Sequence, residues 1–223
     1  MSEPAAVLLD LYDTVAESDW PVWRNTLSKM IGVEARVLDD AFRLTRPARS
    51  EGDFGSVEGD MAAVLEAMGF DPPPPDLVRD LASYEHEFTQ EHVRLYPDAI
   101  PAVEALRAAG IPTALVSNCS YNTRPVVERL GLHELFDAIV LSFEVGARKP
   151  QRAIYEAALR AVGAPEPSAT LFVDDQAAYC DGARGLGIGT RLILRPGADP
   201  PESFAPDANG HRVITDLTKL LED

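Results

Sequence analysis

Short apolar runs that stop abruptly at polar residues constrain this chain more than any other feature. Ala5–Leu9 stops at Asp10, Pro112–Val116 at Ser117-Asn118, and Thr170–Val173 at Asp174-Asp175. A further run, Ala138–Leu141, leads through Phe143–Arg148 to Lys149-Pro150. Apolar runs of this length, without alternation, suit strands buried on both faces of a parallel sheet. Between them lie helical patterns. Asp98 can cap a helix burying Ile100, Val103 and Leu106. Thr123–Leu130 follows the second run, and Ile154, Ala158, Leu159 and Val162 mark a helix after Lys149. Beyond Asp175 come a short helix to Gly187, a strand at Arg191–Leu194, a Pro-rich loop at Arg195–Gly210, a strand at Arg212–Ile214 and a terminal helix. Strand–helix–strand in this rhythm predicts an α/β fold: a Rossmann-like parallel sheet with helices on both faces.

The first crossover is interrupted. From Asp19 to His92 every pattern is helical: Trp20–Ile31 ending at Gly32, a helix burying Val37, Leu38, Ala41 and Phe42, one closed by Gly69, and one from Leu77 to His92. Thr45–Ser56, with Pro47, Gly52 and Gly55, reads as a loop carrying Arg46 and Arg49. The domains expected are therefore a core of residues 1–15 and 95–223 and an inserted all-helical cap of residues 16–94.

Parallel strands present their carboxyl ends along one edge, where open α/β sheets bind ligands. Asp10, Ser117, Asn118, Lys149, Asp174 and Asp175 should converge there. Three carboxylates against one lysine call for a divalent cation, and with carboxylate and carbonyl oxygens on offer Mg²⁺ is the fitting one. Asp10 can then attack phosphorus, Lys149 can neutralise Asp10 and the transferring oxygens, and Ser117 and Asn118 can donate hydrogen bonds to those oxygens.

Charge narrows the partners. The 223 residues carry 36 acids against 20 Lys and Arg, a net charge of −16, which argues against nucleic acid and anionic membranes. A small anionic substrate remains compatible, because a local site overrides the global field. Cys119 and Cys180 lack metal spacing and are expected as buried thiols. No basic-then-apolar leader and no stretch near the ~20 apolar residues of a membrane span is visible, so a cytoplasmic protein is expected.

At these residues the chain resembles the haloacid dehalogenase-like hydrolase superfamily. Leu8–Val15 resembles its first motif, Leu115–Asn118 its second, Arg148-Lys149-Pro150 its third, and Phe172–Asp175 followed by Gly182-Ala183 its fourth. The helical block stands where this superfamily inserts a cap. The resemblance implies Asp10 as nucleophile, with Asp175 and the Tyr12 carbonyl joining Asp10 as Mg²⁺ ligands. One position departs from the superfamily's phosphatases, which carry a second Asp two residues after the nucleophile. Here Tyr12 occupies it and the acid, Asp13, is one residue later, before Thr14. A phenol of pKa about 10 is a poor acid–base partner at neutral pH. Tyrosine there resembles the 2-haloacid dehalogenase branch, whose departing halide needs no proton. Asp174-Asp175 resembles the metal-binding form, whereas dehalogenases carry small polar residues there. A Mg²⁺-dependent phosphatase is the reading favoured, because uncompensated carboxylates cost more than a missing acid. A carbon–halogen hydrolase, or a catalytically weak relative binding a phosphorylated ligand, are the alternatives. Asp13, Thr14 and Asp174 are supporting residues.

Overall fold

The computed structural model describes residues 3–195 and 210–220. The elements run in this order: β1 (Ala6–Leu9), β2 (Ala16–Glu17), α1 (Trp20–Ile31), α2 (Ala35–Glu51), α3 (Val57–Ala67), α4 (Pro75–His92), β3 (Arg94–Leu95), α5 (Ala99–Ala108) and β4 (Thr113–Ser117). Then follow α6 (Thr123–Arg129), α7 (Leu132–Leu135), β5 (Ala138–Leu141), α8 (Ser142–Val145), α9 (Arg152–Ala161), β6 (Thr170–Asp174), α10 (Ala177–Arg184), β7 (Gly189–Ile193) and β8 (Arg212–Ile214).

Six strands form one parallel sheet in the order β5-β4-β1-β6-β7-β8. β1 lies between β4 and β6, so every residue of Ala6–Leu9 is buried, which is why the run is apolar without alternation. Successive side chains still point to opposite faces. Val7 and Leu9 pack with Val103 and Leu106 of α5 and with Val126 of α6. Leu8 packs with Ile154 and Tyr155 of α9 and with Ala183 of α10. The α/β fold with helices on both faces is as the sequence predicts.

Helices α1 to α4 stand between β2 and β3, which pair antiparallel. They bury a cluster of their own, including Leu27, Leu38, Met61, Leu65 and Leu81. Gly32 ends α1 with a left-handed φ of 79°, and its N–H donates to the Ser28 carbonyl.

Several local expectations are corrected. Only residues 52–56 of the expected Thr45–Ser56 loop form one, because α2 continues through Pro47 to Glu51 and Gly52 stops it. Pro47 and Arg43 are both exposed, so the carbonyl deprived of its donor faces water, which makes the proline tolerable. Val37 and Ile100, expected inward, are exposed. The apolar arc of each helix is narrower than the sequence suggested. Asp98 precedes α5 but does not cap it with its side chain. Its Oδ2 instead accepts the Leu217 N–H at 2.6 Å and Arg195 Nη1 at 2.7 Å. Phe143 lies in α8, and α7, β2 and β3 were not foreseen. After β8 a 3-10 turn, Leu217–Lys219, stands where a helix was expected. Residues 196–209 of the Pro-rich loop lie outside the described residues.

Candidate active site

β1 delivers Asp10 at the centre of the sheet. The Asp10 N–H still donates to the Val173 carbonyl at 3.0 Å, so the chain remains paired with β6 where the strand ends. Asp174, the last residue of β6, is thereby set beside it. This is the position at which the sheet order reverses around β1, the place where such folds open a ligand crevice.

Lys149 joins the two carboxylates. Its Nζ donates to Asp10 Oδ1 at 2.5 Å and to Asp174 Oδ2 at 2.6 Å, and the side chain is completely buried. The rings of Phe172 and Tyr179 flank the ammonium at 5.5 and 5.2 Å. Lys149 lies on no strand; Asn118 holds its segment in place. Asn118 Oδ1 accepts the Lys149 N–H at 2.7 Å, and Nδ2 donates to the Lys149 carbonyl at 2.9 Å. Asn118, expected to donate to transferring oxygens, also holds the Lys149 backbone with both ends of its amide, which leaves one Nδ2 hydrogen uncommitted. Ser117 Oγ is buried and makes no hydrogen bond.

One oxygen each from Asp10, Asp174 and Asp175 lie within 4.8 Å of one another. Lys149 is the cation among them. Burial pushes Asp10 up to about 7, with Lys149 opposing and Asp174 adding to the rise. Burial likewise pushes Asp175 up to about 9, reinforced by the charges of Asp174, Asp10 and Asp13. For Lys149, burial alone would lower the pKa, but Asp10 and Asp174 more than offset it and hold the ammonium charged. Asp174 Oδ1 accepts the Gln176 N–H at 2.8 Å, whereas Asp175 Oδ1 is buried and makes no hydrogen bond. An all-oxygen donor set short of positive charge, with an unpartnered buried carboxylate oxygen, fits a hard divalent cation.

Residues 11–16 fold into a tight loop behind Asp10. The Val15 and Ala16 N–H groups both donate to the Leu11 carbonyl at 2.8 Å, and Asp13 adopts a left-handed φ of 58°. Burial and the charge of Asp10 push the Asp13 carboxyl up to about 6, against a hydrogen bond from the Trp20 side chain. Tyr12 Oη and Thr123 Oγ1 share a hydrogen bond of 3.1 Å. Burial holds the phenol above its ordinary range, so it keeps its proton at neutral pH. Thr14 Oγ1 is buried without a hydrogen bond, and the Thr14 carbonyl accepts Nε of Arg195 at 3.1 Å and also its Nη2.

Sequence reasoning missed Thr123 and Arg195. Trp20, at the start of α1, packs edge-on against Tyr12, ring centroids 5.3 Å apart. Its helical spacing reported a face but not that this face meets the loop that follows Asp10. Arg49 lies on α2 and turns inward over the ring of Phe42 at 4.6 Å.

Comparison with known proteins bears on this geometry. Residues 4–187 match the haloacid dehalogenase-like hydrolase family. A phosphatase of Mycobacterium tuberculosis is 30% identical over 190 residues, covering 81% of this chain and 73% of its own. An (S)-2-haloacid dehalogenase of Pseudomonas is 31% identical over 147 residues, covering 66% of this chain and 62% of its own. The L-2-haloacid dehalogenase of Xanthobacter autotrophicus, solved with chloropropionic acid covalently bound, superposes with a TM-score of 0.68 at 18% identity, covering 97% and 96% of the two chains. Among the described residues no helix is long and apolar enough to cross a membrane.

Proposed function

This chain belongs to the haloacid dehalogenase-like hydrolases, and from that premise we propose that it is a Mg²⁺-dependent phosphatase acting on a small anionic phosphorylated metabolite through an aspartyl-phosphate at Asp10. The observation that carries this reading is the triad Asp10, Asp174 and Asp175, whose oxygens gather within 4.8 Å around one lysine. Residues 16–94 are taken as the cap over this site, with residues 1–15 and 95–223 as the core.

Asp10, Asp175 and the Tyr12 carbonyl would hold Mg²⁺, with Asp174 supporting through Lys149. Bound there, the ion would supply positive charge that keeps the carboxylates ionised and offsets the charge of the phosphoryl oxygens. The protein's own groups do the rest. An Asp10 carboxylate oxygen attacks phosphorus, the ester oxygen leaves with its bonding electrons, and an acyl phosphate remains. Lys149 keeps Asp10 in the attacking, ionised form. Ser117 Oγ, buried without a partner, can donate to a phosphoryl oxygen as charge develops. Water then attacks phosphorus, breaks the Asp10 O–P bond and regenerates the carboxylate. Tyr12 in place of an acid removes a proton donor normally worth about 10²–10⁴-fold. The substrates served best should therefore be those with stable leaving groups, such as aryl and acyl phosphates.

A second reading, carbon–halogen hydrolysis by Asp10 without metal, is favoured by Tyr12 and by the dehalogenase relatives. Phosphate release from p-nitrophenyl phosphate, with Mg²⁺ or EDTA, decides between them. Activity that needs both Mg²⁺ and Asp10 is expected. Loss of the difference between wild type and Asp10→Asn, together with Asp10-dependent chloride release from 2-chloropropionate, would replace the first reading by the second.

A further inference from the structure

Three charged side chains from three different helices meet on the cap side of the nucleophile loop. They are Arg49 of α2, Asp60 of α3 and Glu85 of α4. Glu85 is 4% exposed; its Oε1 accepts Trp23 Nε1 at 3.0 Å, and its Oε2 accepts Asn122 Nδ2. Arg49 donates from Nε to Thr45 Oγ1 and from Nη2 to the Phe42 carbonyl, each at 3.0 Å. Asp60 differs from both. It is 1% exposed, and neither carboxylate oxygen makes a hydrogen bond. The nearby hydroxyl of Ser120 is turned to Asn122 Oδ1 at 3.1 Å. Burial pushes Asp60 up to about 7, with Glu85 adding to the rise and Arg49 and the nearby Ser120 hydroxyl opposing it.

This cluster adjoins the catalytic groups. Ser120 and Asn122 belong to the loop that leaves the carboxyl end of β4, whose Asn118 holds Lys149. Thr123, the next residue, holds the Tyr12 hydroxyl. The Tyr12 phenol feels the charges of both Glu85 and Asp10. A run of aromatic contacts connects the two regions: Tyr12 to Trp20 at 5.3 Å, Trp20 to Trp23 at 6.0 Å, and Trp23 to Phe42 at 4.8 Å, with Arg49 over Phe42.

A buried carboxylate short of donors is unfavourable, and a functional role is one of the reasons a native structure retains such a group. A metal does not suit this place. Among the described residues, Asp60 and Glu85 belong to no group of three ligating side chains; the single such group is Asp10, Asp174 and Asp175. The cluster lies beside the loop that follows Asp10, so the part of the substrate that departs is placed to supply a donor.

We propose that Asp60, braced by Glu85 and Arg49, is the subsite that reads the leaving group, and that it selects phosphate esters whose leaving group carries a hydrogen-bond donor, a hydroxyl or an ammonium. This rests on the phosphatase reading above. A site built around an unpaired acceptor accepts an analogue with the matching donor and rejects the isostere without one. The aromatic run beside Glu85 and Arg49 supplies the apolar wall for the rest of that group.

The test uses the full chain with Mg²⁺ and three aryl phosphates of one shape: 4-ethylphenyl, 4-(hydroxymethyl)phenyl and 4-(aminomethyl)phenyl phosphate. The expected result is a kcat/KM at least about tenfold higher for one donor-bearing ester than for the ethyl compound. Asp60→Leu should bring that ratio to within about twofold of unity. Asp60→Asn, which keeps the shape and one acceptor, serves if the leucine variant does not fold. It should erase a preference for the ammonium and retain part of a preference for the hydroxyl. Equal turnover of all three esters by wild type, or a preference that survives in both variants, overturns the subsite while leaving the phosphatase reading intact. Absence of turnover above Asp10→Asn for every ester overturns the phosphatase reading, and the subsite with it.

Discussion

Replacing Lys149 by methionine removes the cation that holds two buried carboxylates together while preserving most of the side-chain volume. The ammonium is completely buried and donates to Asp10 Oδ1 and Asp174 Oδ2 at 2.5 and 2.6 Å. Breaking a buried pair by deleting one partner costs about 3–5 kcal/mol, because the other charge is left uncompensated. In a chain of this size each kcal/mol moves the midpoint by roughly 2–4 °C, so Lys149→Met should melt roughly 6–20 °C below wild type. The loss must depend on pH. Asp10 already titrates near 7 in the wild type, and without Lys149 its pKa rises further. At pH 5 the variant's Asp10 is neutral and costs little, whereas at pH 8 the unfolded chain's Asp10 is ionised and the folded variant must either hold a proton against the solution or bear the repulsion. Thermal melts in EDTA at the two pH values measure both effects. The deficit should be largest at pH 8 and shrink toward pH 5. A variant that melts with wild type at pH 8, or one whose deficit grows on acidification, would refute the electrostatic role given to Lys149.

Three further outcomes are expected. Asp60→Asn should raise stability at pH 8 by about 1–3 kcal/mol, since it replaces an unpartnered buried charge by a neutral amide. Because the Asp60 pKa is raised from 3.8 to about 7, the penalty it removes is complete above 7 and absent below 4, so denaturant midpoints of the two proteins should converge in acid. In EDTA the wild type should lose stability as pH rises through the raised values of Asp10, about 7, and Asp175, about 9; Mg²⁺ should restore it most at the alkaline end, read as a concentration-dependent rise in melting temperature. Gly182→Ala would set a methyl carbon 2.7 Å from Pro150 Cβ and 2.8 Å from the Tyr155 hydroxyl. It should cost about 1–3 kcal/mol in urea unfolding and, by pushing on the segment that carries Lys149, lower kcat.

The parts of this structure that were legible in the sequence are those where one local rule acts alone. An unbroken apolar run identifies β1, because both of its faces are covered. Gly32 marks the end of α1, because a left-handed residue is needed there. Asp10, Asp174 and Asp175 were legible as a group because parallel strands share an edge; Lys149, on no strand, joins them through Asn118. Where two rules compete, the sequence misleads. Pro47 reads as a breaker, yet its solvent-facing place lets α2 run past it. Asp98 reads as a cap, yet Arg195 and the Leu217 N–H, distant in the chain, take its carboxylate. Asn118 stands at a strand end like its neighbours, but only the folded chain shows that its amide also holds Lys149. Arg49, Asp60 and Glu85 were invisible as a set. Periodicity shows that each helix has a face and is silent on which three faces meet.

The central claim is that Asp10 forms a phosphoryl intermediate that water opens at phosphorus. A single turnover of p-nitrophenyl phosphate by excess enzyme with Mg²⁺ in H₂¹⁸O, followed by mass analysis of the released phosphate and of the peptide containing Asp10, tests it most directly. Release should be absent in Asp10→Asn, one ¹⁸O should appear in the phosphate, and Asp10 should remain unlabelled. Wild-type turnover no greater than that of Asp10→Asn, or solvent oxygen entering the Asp10 carboxylate during chloride release from 2-chloropropionate, as water attack on a carbon ester requires, would contradict it.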